Sequence, residues 1–458
     1  MKTKVISIMV SFIFVVVLIA TPHSVADNIF MPSEFEEELS VIGDNEVEQL
    51  LESSNWLSRR KTSVVSVDSF GAVGDGTTDD TQAFLSAWNR ACTTHKSVFL
   101  VPKGRSYLVK PARFVGPCVD KLIIQINGTI VAPDEPSDWD QKSPNNWLVF
   151  SKLNKTIIQG GGVIDGSGSK WWAASCKKNK ENPCIAAPTA ITIDSSSVVV
   201  VEDLTIKNSQ QIHFQIYRSK TIRVFRVQIS APGDSPNTDG IHIAESTDIV
   251  VQNTKIGTGD DCISIVNGSS IIKMKHIYCG PGHGISIGSL GKDNSKEMVT
   301  AVVLDTAVLK NTTNGLRIKT WQGGSGYVRS VRFENVRMNE VENPIIIDQF
   351  YCDSPDSCQN QTAAVKISQV IYRNITGTTT SEKAIQLACS DTVPCSNIIL
   401  SNVNLQSKEG TAETYCNSAT GSNEGIVNPS ADCLDSSNKD SYSDMTTDSN
   451  VEDLHAEL

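Results

Sequence analysis

Asn237-Thr238-Asp239-Gly240-Ile241, Gly259-Asp260-Asp261-Cys262-Ile263 and Gly280-Pro281-Gly282-His283-Gly284-Ile285 follow one another through the middle of this chain. Asp239 stands 22 residues before Asp261, and Asp261 stands 22 before His283. Ile241, Ile263 and Ile285 keep the same interval, as do Ile249 and Ile271. A fixed period in the low twenties, rich in β-branched residues and broken by Gly and Asn, marks a β-solenoid. Successive turns of a parallel coil lie roughly 4.8 Å apart. Three carboxylates and a histidine are thereby stacked on one face.

Working outward, short apolar runs alternate with turn residues from about Leu122 to Leu400, with no long helical pattern between them. That spacing predicts an all-β chain, and the period selects a coil over a sandwich. Asn253, Asn311 and Asn335 suit tight corners. Near the start, Ala83, Phe84, Ala87, Trp88 and Ala91 recur at helical spacing behind Thr78 and Asp79, either of which is a good N-cap. A short amphipathic helix there would cover the open end of the coil, where a bare edge invites pairing with another chain.

The flanks differ in composition. Lys2 and Lys4, an apolar run from Ile6 to Ala20 and the small residues Ser24-Val25-Ala26 read as a secretory signal over residues 1–26. Residues 27–62 form an acidic extension or pro-segment ending in a basic run from Arg59, and residues 434–458 an acidic tail expected to be disordered. The chain carries −11 overall, but residues 27–58 hold −9, residues 434–458 hold −6 and the signal holds +2. The remaining coil, within the expected 63–433 domain, is close to neutral at about +2, so a polyanion is not repelled from it. Twelve cysteines, none in a CxxC pair, fit disulfides in an oxidising compartment better than a metal site. Cys176 with Cys184, Cys352 with Cys358, and Cys389 with Cys395 would close short loops, and Cys279 is the natural partner of Cys262. Six Asn-x-Ser/Thr sequons, at Asn127, Asn154, Asn267, Asn311, Asn360 and Asn374, fit a secreted glycoprotein.

Stacked carboxylates suit glycosidic cleavage, which needs one acid at the leaving oxygen and one base on the opposite side. Mutual repulsion can divide those roles by raising one pKa while another group stays ionised. Further along, Arg317 and Lys319 in Arg317-Ile318-Lys319-Thr320 point to one face of a strand and present paired cations. Carboxylates beside paired cations suit an acidic sugar, whose carboxylate an arginine grips with two bonds.

Together these four motifs resemble the polygalacturonases, glycoside hydrolase family 28, from about Ser66 to Cys433. The stretches Ile256–Ile265, Cys279–Gly291 and Gly315–Gly326 are similar to the plant enzymes in particular. The resemblance implies a right-handed parallel β-helix and inverting hydrolysis of α-1,4-linked galacturonan. By that analogy Asp260 is the general acid, Asp239 and Asp261 hold and deprotonate the attacking water, and His283 supports the site. Arg317 and Lys319 bind the substrate carboxylate, Asn237 lies beside water or sugar, and Tyr351 is an aromatic residue near the cleft. It further implies a secreted monomer acting on pectin in the cell wall, with no metal, cofactor, nucleic acid or membrane partner. Endo action is expected, with exo action the alternative. A calcium-dependent pectate-type lyase, a rhamnogalacturonan hydrolase and a pectin-binding protein without activity are the rival readings.

Overall fold

The branched side chains that set the period form continuous columns inside a coil. Ile241, Ile263, Ile285 and Leu316 pair rung by rung, as do Ile243, Ile265, Ile287 and Ile318, and every one is fully buried. Ile and Val favour extended backbone and pack well on a pleated surface, so stacking like on like fills the interior with apolar side chains. The structure, a computed structural model, describes residues 47–50, 62–139, 145–354 and 357–434. Its strands form two sheets, of nineteen and eleven, and all the strand pairings are parallel. From the strand Ala112–Val115 onward successive turns of chain contribute to both sheets, which makes the fold a parallel β-helix, right-handed as parallel crossovers are.

The larger sheet bends at a corner where residues take the left-handed conformation. Asn253, His276, Thr306, Asn335, Asn374 and Asn402 succeed one another there, with φ between 52° and 66°. Asparagine tolerates this conformation because its side chain bonds locally. Asn374 donates to Asn335, and Asn335 to Asp305, so the corner is a ladder of its own. Asn311 also takes positive φ, at 55°.

The 22-residue interval holds as register for Ile241, Ile263 and Ile285 but not for Ile249 and Ile271. Ile249 pairs with Ile272, not Ile271. The turn through Asn267-Gly268 absorbs one extra residue, with Gly268 at φ +73°, and Ile271 turns out of the interior column at φ 56°.

A helix over Thr81–Cys92 packs against the first strands, with Phe84 on Phe99 and Trp88 on Phe114 at ring separations of 6.0 and 5.3 Å. Its N-cap is Asp80, not Thr78 or Asp79. The Asp80 carboxylate turns away to accept Val73 and Gly74 N–H groups, while Asp79 Oδ1 accepts Thr81 N–H at 3.0 Å. Residues 47–50 make a helical turn whose Val47 and Leu50 are buried against Val98, Ile123, Ile157, Val198 and Val200 outside the coil. The signal at 1–26, the acidic tail after Leu434 and most of 27–62 lie outside the described residues.

All twelve cysteines are paired. Cys176–Cys184, Cys262–Cys279, Cys352–Cys358 and Cys389–Cys395 match the sequence expectation, and Cys92–Cys118 and Cys416–Cys433 complete the set. Among the described residues no helix is long and apolar enough to cross a membrane.

Candidate active site

The three motifs occupy successive turns just before strands Ile241–Ala244, Ile263–Ile265 and Ile285–Leu290 of the eleven-stranded sheet. Backbone bonds lock the turns together: Gly240 N–H to Asp261 O, Cys262 N–H to Gly284 O, and His283 N–H to Asp260 O, all between 2.8 and 2.9 Å. Gly284 is required by this stacking. It holds φ +79°, and a Cβ there would lie 2.1 Å from the Asn314 carbonyl. The buried Cys262–Cys279 disulfide pins the central turn from inside.

Asp260 is the hub. Its Oδ2 accepts Asn237 Nδ2–H at 3.2 Å, and its Oδ1 accepts Asp261 N–H at 2.8 Å and lies 3.0 Å from His283 Nδ1. Burial works against a charge on His283, but the hydrogen bond and charge of Asp260 outweigh it and hold the imidazole above its ordinary value.

Asp261 is 2 % exposed and saturated with donors. Ser286 Oγ and Arg317 Nη2 donate to its Oδ1 at 2.7 and 2.8 Å, and Lys319 Nζ donates to Oδ2 at 3.0 Å. Burial alone would raise this carboxyl, yet Lys319 and Arg317 drive it well below the usual carboxylate range. Arg317 and Lys319 thus face one way, as their alternation on strand Asn314–Thr320 requires, and two cations meet one carboxylate. Lys319 also lies 5.2 Å from the centre of the Tyr351 ring, itself edge-on to Trp321.

Asp239 has different surroundings. Ser264 Oγ donates to its Oδ2 at 2.6 Å, and burial followed by the charge of Asp260 pushes its carboxyl above the ordinary value. Beneath it, fully buried His213 bridges two backbone groups: Nδ1 lies 3.0 Å from Asp239 O, and Nε2 accepts Ser209 N–H at 3.3 Å. Burial pushes His213 down to about 4, so it serves as a neutral brace.

All eight residues singled out from sequence therefore fall in one region, linked through Asp260, Asp261, Lys319 and the stacked turns. Sequence reading missed Ser264, Ser286, His242 and His213. The signal for the serines was present, since Asp261-Cys262-Ile263-Ser264 and His283-Gly284-Ile285-Ser286 repeat the same four-residue pattern. Asp260, Asp261 and His283 offer ligand atoms within 4.8 Å of one another. Both Asp261 oxygens already face cationic donors, however, and calcium asks for about six to eight oxygen ligands. The donor set suits a hydrogen-bonded cluster.

A groove of about 410 Å³ runs from Asn237 past Gln210 and Trp171 to the Cys176–Cys184 loop. From that loop Lys178 pairs with Asp234 at 2.7 Å. Lys177 pairs at 2.6 Å with Asp353, on the Cys352–Cys358 loop beside Tyr351. The first loop precedes strand Thr189–Asp194 and the second follows strand Asn343–Asp348, so the exposed Lys177–Asp353 pair links segments from opposite ends of the sheet's strands.

The sequence model of glycosyl hydrolases family 28 matches residues 91–427. A polygalacturonase of Persea americana is 49% identical over 350 residues, covering 76% of this chain and 75% of that protein. One of Malus domestica is 47% identical over 367 residues, covering 80% and 78%. Among solved structures, the endo-xylogalacturonan hydrolase of Aspergillus tubingensis superposes with a TM-score of 0.68 at 22% identity, covering 79% of this chain and all of that one. The polygalacturonase of Erwinia carotovora gives 0.64 at 23%, covering 80% and 98%. At those identities the structural likeness speaks for the fold, while the plant relatives and the family match cover most of the coil. With that match and those relatives, the chain, whose coil stacks its acids, its histidine and its paired cations in this order, belongs to glycosyl hydrolases family 28.

Proposed function

We propose that the protein hydrolyses α-1,4 bonds of polygalacturonate by an inverting acid–base mechanism, with Asp260 as the acid. The observation that carries this reading is the pair of cations on Asp261. Arg317 and Lys319 each place one donor bond on this single carboxylate, and both are multi-donor cations in a buried setting. A uronate carboxylate could take up their further N–H groups with charge-assisted bonds, where a neutral sugar would not. Tyr351, against Lys319, gives the sugar ring an apolar face to lie on.

In this mechanism Asp260 gives its proton to the glycosidic oxygen as the bond from the anomeric carbon breaks. Oδ2 is the oxygen suited to carry it, because it accepts one long bond, from Asn237, while Oδ1 is taken by both Asp261 N–H and His283. Water, held on the opposite side by Asp239 and Asp261, loses a proton as it attacks that carbon and inverts its configuration. An inverting pair leaves room for this water, roughly 6.5–9.5 Å between carboxyls. The protein works as a secreted monomer in the cell wall, cutting within chains and requiring no cofactor.

The test is incubation with de-esterified polygalacturonate in excess chelator, recording reducing ends and unsaturated-product absorbance together. Reducing ends without new absorbance are expected, with an early fall in viscosity if cleavage is internal. Unsaturated products that appear only when calcium is restored would make it a lyase instead.

A further inference from the structure

The two carboxylates assigned to the water are held in opposite ways. Asp261 is clamped by Ser286, Arg317 and Lys319, so taking a proton would mean giving up bonds to two cations. Asp239 has one side-chain donor within hydrogen-bond distance among the described residues, Ser264 Oγ. We infer that Asp239 is the carboxylate that accepts the water's proton, and that Ser264, backed by His242, is the positioning residue that aims it. This rests on the hydrolytic reading above.

One column of side chains carries the arrangement. His242 pairs in register with Ser264, Ser264 with Ser286, and Ser286 with Arg317, all outward-facing on the sheet that floors the cleft. Each serine reaches back one rung: Ser264 shares a rung with Asp261 but bonds Asp239, and Ser286 shares a rung with His283 but bonds Asp261. What stands behind each serine differs. Arg317 Nε donates to Ser286 Oγ at 3.0 Å, whereas His242 Nδ1 lies 2.7 Å from Ser264 Oγ.

The proton directions follow. Ser264 has one hydroxyl proton, and the ionised Asp239 Oδ2 takes it at 2.6 Å. The contact with His242 must then be completed by a proton on Nδ1. His242 thus donates to Ser264, and Ser264 to Asp239, which fixes one oxygen of Asp239 and leaves Oδ1 to meet the water. The charged and titratable groups facing Asp239 are Asp260, Asp261 and His242. Burial and Asp260 already favour a proton on Asp239, in keeping with its role as acceptor.

The experiment is the pH profile of kcat/KM on de-esterified polygalacturonate for wild type, Ser264→Ala, Ser264→Thr, His242→Ala and Ser286→Ala, with a thermal melt of each. Asp239 must be ionised to act, so the rate rises with pH through its pKa. Ser264→Ala removes a donor to the charged form and moves that acidic limb up by about one unit, a roughly tenfold loss well below it. Ser264→Thr keeps the hydroxyl and restores the limb. His242→Ala moves it in the same direction by less, and Ser286→Ala lowers kcat without moving it. An unmoved limb in Ser264→Ala, or a limb that follows Ser286 instead, overturns the inference. If Ser264→Ala does not fold, an unmoved limb in His242→Ala does so. Wild type that releases no reducing ends from this substrate would instead mark failure of the hydrolytic reading.

Discussion

His283 reaches across to Asp260, its Nδ1 3.0 Å from Oδ1, although its own place in the stack is above Asp261. The side chain is 39% exposed, so the pair is partly screened, yet the imidazole is held above its ordinary value despite the cost of burial. The charged form therefore persists upward past about 6.5 and is lost as pH rises further. In Asp260→Asn the opposing charge is gone while burial remains, so His283 titrates at lower pH than in wild type. NMR titration of its ring protons checks this, and an unchanged midpoint would count against the pairing.

Asp260→Asn also removes the transferable proton while keeping the shape that Asn237 and Asp261 N–H contact. Turnover should fall by about 10²–10⁴, the usual worth of a general acid. Binding of oligogalacturonate, followed by calorimetry, should change little. Near-wild-type turnover would sink the acid assignment.

Lys319→Met leaves Asp261 buried with one cation instead of two. Breaking a buried pair costs on the order of 3 kcal/mol, which urea unfolding would read. The depressed Asp261 carboxyl contributes stability that is fully present above its unfolded value near 3.9. That contribution is lost only as pH falls through the lower folded value. In Lys319→Met the folded value rises, so the loss is complete at a higher pH and the variant's deficit narrows as the solution is made more acid.

Replacing Cys262 and Cys279 together by Ala opens a link across 17 residues behind the catalytic turn. Loop closure of that length is worth about 3 kcal/mol. A lower melting temperature is expected, with kcat falling more than KM rises because Asp261 follows Asp260 directly into this turn. A change in KM alone would show that the disulfide does not govern the acid's position.

Much of this site was legible because the coil converts sequence spacing into proximity. Asp239, Asp261 and His283 could be stacked from their interval alone, and Arg317 with Lys319 placed on one face by alternation. What stayed hidden depends on direction within a rung. That Arg317 and Lys319 turn onto Asp261, and that Ser264 serves the acid one rung away, follows from side-chain reach that no interval encodes. The Ile249 register failed for a related reason: a glycine turn swallowed one residue, and periodicity does not say where slack is taken up. The cap of the first helix was misplaced because Asp80 had a better use for its carboxylate, at Val73 and Gly74.

The rungs that align the acids also quantise the site. Groups borne on successive turns differ in position along the axis by whole multiples of roughly 4.8 Å, set by backbone hydrogen bonds and not by the side chains themselves. A substitution can change which group stands on a rung, and an insertion can turn it to the other face. Neither changes the pitch. Adjustment to a substrate must therefore come from rotamers on a fixed ruler and from the loops at either wall, because the floor has no means of closing.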